Sequence, residues 1–90
     1  MVNPDSIVEQ RIAQQLGLII SQLRNAAGLT QEEVALRSGI NRNHYRLIEH
    51  GFSDEKKRTP SNPRLFTLIS IARTLGTTPE ELISAACGRV

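Results

Sequence analysis

Ninety residues make one small domain, 1–90. Its composition is 39% hydrophobic but only 3% aromatic, with no Trp, so the core must be aliphatic. The lone Cys87 excludes a disulfide scaffold and a multi-cysteine metal site. No apolar run approaches the roughly 18 residues of a membrane span. The opening MVNPDSIVEQ has neither the basic nor the apolar region of a signal peptide. A reducing cytoplasm is therefore expected, with no membrane association. The net charge of +2 is small but unevenly placed. From Arg37 to Arg64 there are seven basic and three acidic residues, net +4, which leaves the remainder at net −2. Such an asymmetric domain can orient itself on a polyanion.

The punctuation predicts five helices, at about 4–27, 31–38, 42–50, 63–75 and 79–87. Gly28, Gly39, Gly51, Gly76 and Gly88 each follow a helical pattern, where a left-handed residue ends a helix. Helix-start signals follow most of them. Thr30 with Glu33, and Thr78 with Glu81, read as capping boxes. Asn3-Pro4, Asn62-Pro63 and Thr78-Pro79 each place a cap residue before a proline at the first helical position. Asn41 follows the Gly39 turn and can cap the third helix. No strand-like alternation appears, so the fold class is all-α.

On the first helix Ile12, Leu16, Ile19, Ile20, Leu23 and Ala27 fall within about 100° of arc, a core stripe. Ile7 and Leu18 share the opposite face, either as scattered surface residues or as a dimer seam. The fourth helix offers Leu65, Leu68, Ile69, Ala72 and Leu75 to the core, with Phe66 and Ile71 widening the stripe. The fifth offers Leu82, Ile83 and Ala86. The polar stretch from Phe52 to Asn62 reads as a loop of about a dozen residues, near the upper end of ordinary lengths.

The informative stretch is Thr30 to Gly51. Two short helices joined by so brief a turn cross steeply only where the residues between them are small. Ala35 meets that need, and Gly39 can take the positive φ of the turn. Val34, Ile40, Tyr45 and Ile48 would pin the pair to the domain. Arg42, Asn43 and Arg46 then lie on the outward face of the second helix, with His44 on its flank. Arg and Asn make bidentate contacts with guanine and adenine edges in the major groove. The pattern is a helix-turn-helix, with 31–38 as the support helix and 42–50 as the reading helix.

From about Leu16 to Leu82 the sequence resembles the lambda-repressor-like, Cro/C1-type helix-turn-helix family, often called the Xre family. The resemblance rests on Gly28-Leu29-Thr30-Gln31-Glu32-Glu33, Gly39-Ile40-Asn41-Arg42, Ile48-Glu49-x-Gly51 and Ile71-Ala72-x-x-Leu75-Gly76, in that order. It implies a five-helix DNA-binding domain. In it the residue matching Gln31 contacts a phosphate or reaches toward a base, and those matching Asn41, Arg42, Asn43 and Arg46 face DNA. It also implies a structural ion pair between Arg24 and Glu49. In the family the connection that carries Lys56, Lys57 and Arg58 runs near the DNA backbone. Those three residues are either phosphate contacts or a solvated charge run. Arg64, in the first turn of the predicted fourth helix, is poorly placed against the helix dipole and hints at a phosphate partner.

Three features depart from the family's pattern. The Phe52–Asn62 loop is several residues longer than in compact members. Tyr45 stands at a usually aliphatic position. Leu47 stands at a commonly polar one, where it either touches a thymine methyl or packs against the loop.

The sequence thus predicts a transcriptional regulator that binds a pseudo-palindromic operator in double-stranded DNA as a homodimer, located with the nucleoid. Restriction–modification controllers, small phage repressors and antitoxins are the subclasses. The chain ends soon after the fifth helix, so no separate sensor domain is expected. The alternative is a protein-interaction module that holds a toxin or another regulator. No enzyme motif is present, whether G-x-S-x-G, phosphate loop or H-E-x-x-H, so no catalytic residue or cofactor is expected. His44 and His50 lack partners at metal spacing. Cys87, near the end of the fifth helix, reads as a small apolar filler.

Overall fold

Helix α1 spans Pro4–Ala26 in the computed structural model, which describes residues 4–88. The expected cap at Asn3 lies outside the described residues. Ala13, Leu16, Ile19 and Ile20 form the buried stripe of α1, and Ile12 and Leu23 pack at its edges. Ala27 was expected in this stripe but is exposed. The helix ends one residue earlier, and the chain turns away through Gly28 at φ +70°.

Helix α2 (Gln31–Ser38) begins with the predicted capping box. The Glu33 N–H donates to the Thr30 hydroxyl at 3.1 Å, and the Thr30 N–H donates to the Glu33 carboxylate at 3.0 Å. Helix α3 (Arg42–His50) is capped by Asn41, whose Oδ1 accepts from the N–H groups of Asn43 at 2.8 Å and His44 at 3.2 Å. Both helices so gain partners for N–H groups that their own turns leave unpaired.

Helices α4 (Leu65–Thr74) and α5 (Pro79–Gly88) complete the fold. Helix α4 starts two residues later than the sequence suggests. Asn62 does not cap it, and Arg64 occupies the cap position without a side-chain hydrogen bond. Arg64 thus precedes the first turn instead of lying in it. At α5, Thr78 accepts from the Glu81 N–H at 3.2 Å, but the Glu81 carboxylate accepts from the Thr77 hydroxyl, so the reciprocal half of that box is missing. Gly88 lies within α5 and does not end it as a left-handed residue.

Helix α1 packs against α3 and α5, and α2 packs against α3 and α4. The core between them is aliphatic except for Tyr45: Ile20, Val34, Ile48, Ile71, Ala72, Leu82 and Ala86 are all at most 1% exposed. Burying each large aliphatic side chain contributes about 1.5–3 kcal/mol before entropy is counted. Leu68, Ile71, Ala72 and Leu75 are the i, i+3, i+4, i+7 set by which α4 meets this core. Leu65 and Phe66, expected in it, are 64% and 78% exposed. They fill the first two positions of the shortened α4 and project beyond the core. Ile83 likewise is 41% exposed instead of buried.

Candidate nucleic-acid interface

The two short helices α2 and α3 are joined by Gly39-Ile40-Asn41. Gly39 takes φ +71°, a conformation that costs a glycine little and a β-branched residue much. Its N–H and that of Ile40 return to the carbonyls of Leu36 (3.2 Å) and Ala35 (3.0 Å), which closes α2. Ala35 is 2% exposed, so the small residue is buried, as a close approach of helices requires. Ser38, also buried, meets the Thr74 hydroxyl of α4 at 3.0 Å.

Helix α3 is sharply two-faced. Tyr45, Leu47 and Ile48 are buried. Asn41, Arg42, Asn43 and His44 are exposed, and Arg46 is partly so. Leu47 is 9% exposed, so the protein covers its side chain, against the reading in which it reaches out to a thymine methyl. Arg42 extends into solvent with its guanidinium 3.9 Å from Glu32. Arg46 is held: its Nη2 donates to Asn43 Oδ1 at 2.9 Å and to Glu55 Oε1 at 3.1 Å.

The far end of α3 is tied to α1. Arg24 donates from Nε and Nη2 to the two Glu49 oxygens at 2.6 and 3.1 Å, a bidentate fork, and from Nη1 to the Leu29 carbonyl at 2.9 Å. Gln31 adds a third donor to Glu49 at 2.9 Å. The side-chain amide of Gln31 is thus spent on the protein's own carboxylate, although the backbone of Gln31 still opens α2. Burial works to raise the Glu49 pKa, but the bonds from Arg24 and Gln31 and the nearby Tyr45 hydroxyl outweigh it, and the carboxyl is held below its ordinary value. The Tyr45 hydroxyl lies beside this cluster, fully buried, yet makes no hydrogen bond of acceptable geometry. Burial pushes its phenol well above the ordinary range.

Two residues of this joint have no sequence-level forecast. Gly17, midway along α1, lies where α1 and α3 touch: a Cβ there would overlap the Glu49 carbonyl and lie 2.6 Å from that of Ile48. An isolated glycine inside an apolar helical pattern is the signal that marks such an approach. Glu55 as a partner of Arg46 has no sequence signal, because a loop separates the two.

That loop is itself ordered. Phe52 and Pro60 form an antiparallel bridge, the Ser53 N–H donates to the Thr59 carbonyl at 2.9 Å, and the two hydroxyls of Ser53 and Thr59 are in contact. Asp54 Oδ1 accepts from the N–H groups of Lys56 at 2.7 Å and Lys57 at 3.0 Å, which lowers its pKa. Arg58 adopts φ +53° and stacks over Phe52 at 5.4 Å. Lys56, Lys57 and Arg58 are all exposed at the tip. Among the described residues, no three His, Cys, Asp or Glu side chains gather as a metal site requires.

A family model described as helix-turn-helix matches residues 20–82. The chain belongs to the Cro/C1-type helix-turn-helix family. It is 35% identical over 69 residues to an HTH-type transcriptional regulator of Sinorhizobium fredii, y4dJ, covering 77% of this chain and 79% of that one. It is also similar in structure to the crystal structure of the restriction-modification controller protein C.AhdI from Aeromonas hydrophila, with TM-score 0.64 and 30% identity, covering 78% of this chain and 94% of that one. This Cro/C1-type protein is thus a DNA-binding transcriptional regulator of a non-enzymatic family, with the lambda-repressor-like fold of five helices. No helix among the described residues is long and apolar enough to cross a membrane.

Proposed function

We propose that this regulator acts in the cytoplasm as a homodimer of controller type, each copy placing α3 in the major groove of one half of a pseudo-palindromic operator. The observation that carries this reading is the division of α3: Tyr45 and Ile48 face the core, while Arg42, Asn43 and His44 face out, with Arg46 beside them. Arg42 and Arg46 supply the guanidinium groups that read guanine, and Asn43 supplies an amide that suits adenine. Asn41 contributes through its amide nitrogen, since its oxygen caps α3. Lys56, Lys57 and Arg58 lie on the exposed loop after α3, and their role is phosphate contact. Gln31 supports this surface from behind by holding Glu49, and its backbone N–H, at the start of α2, remains a phosphate donor.

One such module buries about 600–1,000 Å² on DNA, too little for tight specific binding, so two copies are required, with half-sites about 34 Å apart. Leu65 and Phe66, adjacent and highly exposed, form the apolar surface best suited to a seam between copies. Ile7 and Leu18, exposed at 41% and 45% on α1, are the second choice.

In the deciding experiment, duplexes are selected from a random pool with the native protein, then titrated by anisotropy at several salt concentrations. Affinity for the selected duplex should fall by orders of magnitude between about 50 and 200 mM salt if six or more phosphates are contacted. Salt-independent binding, or none, rejects the reading and favours a protein-interaction module. Sedimentation of Phe66→Asp should show monomer if the seam is placed correctly.

A further inference from the structure

The reading surface contains a charge that does not belong there. Glu55, projecting from the loop after α3, carries an exposed carboxylate (73%) bonded to the one arginine of α3 that is two-thirds covered (33% exposed). A carboxylate beside a DNA-facing guanidinium repels the phosphate backbone, so a surface built only for attraction would lack it. The geometry sharpens the point. A guanidinium makes bidentate contacts through either of two edges, Nη1 with Nη2 or Nε with Nη2. Both edges use Nη2. On Arg46, Nη2 already donates to Asn43 Oδ1 and Glu55 Oε1. A bidentate contact therefore waits until one of these bonds opens, whereas Nη1 and Nε take no part in them, so a single phosphate contact is opposed by the Glu55 charge and not by a lack of donors.

We propose that Glu55 is a specificity-determining residue of this regulator: it withholds Arg46 from single phosphate contacts and yields it to a bidentate contact with a base edge. The inference rests on the proposed DNA reading and deepens it. Its physical basis is the difference between two exchanges. When Arg46 takes a phosphate, whether by leaving Glu55 or through Nη1 or Nε, the carboxylate remains close enough to repel the new anion. When Arg46 leaves for guanine O6 and N7, it gains two acceptors on a neutral edge, and the carboxylate is repelled far less. The loop's order makes this selective. Glu55 sits between Asp54, whose side chain closes the turn onto Lys56 and Lys57, and a strand bridge at Phe52 and Pro60. The backbone of Glu55 is therefore held near α3, which keeps its carboxylate within reach of Arg46. It follows that Arg46 adds little to non-specific attraction, while Lys56, Lys57 and Arg58 on the same loop provide it.

The test uses Glu55→Gln and Glu55→Ala in the full chain, each checked for an unchanged melting temperature. Two probes are titrated by anisotropy: a duplex selected by the native protein, and a scrambled duplex of the same length and composition. Affinity for the scrambled duplex should rise about two- to five-fold in both variants, the range an exposed ion pair carries. The scrambled duplex should also show a steeper salt dependence, by about one counterion, as Arg46 becomes a phosphate contact. Affinity for the selected duplex should rise less, so the specific-to-scrambled ratio falls. Equal rises on both duplexes, with an unchanged ratio, overturn the inference and leave the DNA reading intact. Failure of the native protein to bind either duplex overturns the DNA reading, and this inference with it.

Discussion

Two of the Arg–Glu pairs on helix α3, through Arg46 and Glu49 three residues apart, differ in every respect that matters. Glu49 pairs with Arg24 through a bidentate fork in which both side chains are nearly covered, at 5% and 14% exposure. Arg46 pairs with Glu55 through a single nitrogen at the surface, where the carboxylate is 73% exposed. In the first, three donors from two elements converge on one carboxylate, and the pair locks α3 to α1. In the second, water competes for both partners, so the bond is weak and exchangeable. The same chemistry thus serves as a rivet where it is dry and as a latch where it is wet. A surface that must trade partners with a ligand needs the second kind, and the scaffold that holds that surface needs the first.

The largest effect should come from breaking the dry pair. Glu49→Ala leaves the Arg24 guanidinium covered and unpaired, and should cost about 3–5 kcal/mol in urea unfolding. A loss below 1 kcal/mol would mean that Arg24 escapes to solvent and that the pair locks nothing. Next comes the backbone contact beneath it. Gly17→Ala puts a methyl group against the Ile48 and Glu49 carbonyls, which belong to backbone and cannot swing aside. It should cost about 1–3 kcal/mol or more.

The wet face should behave in the opposite way. Arg42→Ala and Arg46→Ala, made separately, should each leave stability within about 0.5 kcal/mol. Each should weaken binding to a selected duplex by about 1–3 kcal/mol and relax base preference at one position. Unchanged affinity for either removes that arginine from the reading face.

The smallest effect is the pH dependence that the dry pair contributes. The folded Glu49 pKa lies below its unfolded value of about 4.3, so its ionised form favours folding. That contribution is complete above the unfolded pKa and is lost as pH falls through the folded one. The stability gap between the native protein and Glu49→Gln should therefore be constant from pH 7 to about 5 and narrow below the ordinary carboxylate range. A gap that stays flat to pH 3 would mean that the Glu49 charge contributes nothing.

Much of this architecture is written in local signals. Thr30 with Glu33, Asn41, Gly39 and Gly51 each act within a few residues of themselves, so the boundaries of α2 and α3 are readable without any tertiary knowledge. Where a local signal competes with packing, it fails. Asn62-Pro63 is as good a helix start as Thr78-Pro79, yet the loop bridge at Pro60 and the Ser61 N–H, bonded to the Gly51 carbonyl at 2.9 Å, keep the chain extended until Arg64. Phe66 and Leu65 fit the apolar stripe of α4 by angle but project past its end, because periodicity gives direction around a helix and says nothing of how far the core reaches along it.

The sequence by itself determined five helices, the caps of α2 and α3, the short turn at Gly39 and the outward row of Arg42, Asn43 and Arg46, because capping and helical periodicity act over three or four residues. Only the tertiary structure decided which of these groups are free. It turned Gln31 onto Glu49, sank Leu47, brought Gly17 against the carbonyls of α3 and swung Glu55 onto Arg46. Those outcomes depend on contacts between segments up to 32 residues apart, as between Gly17 and Glu49, and on which surfaces lose their water. No rule that reads along the chain contains either.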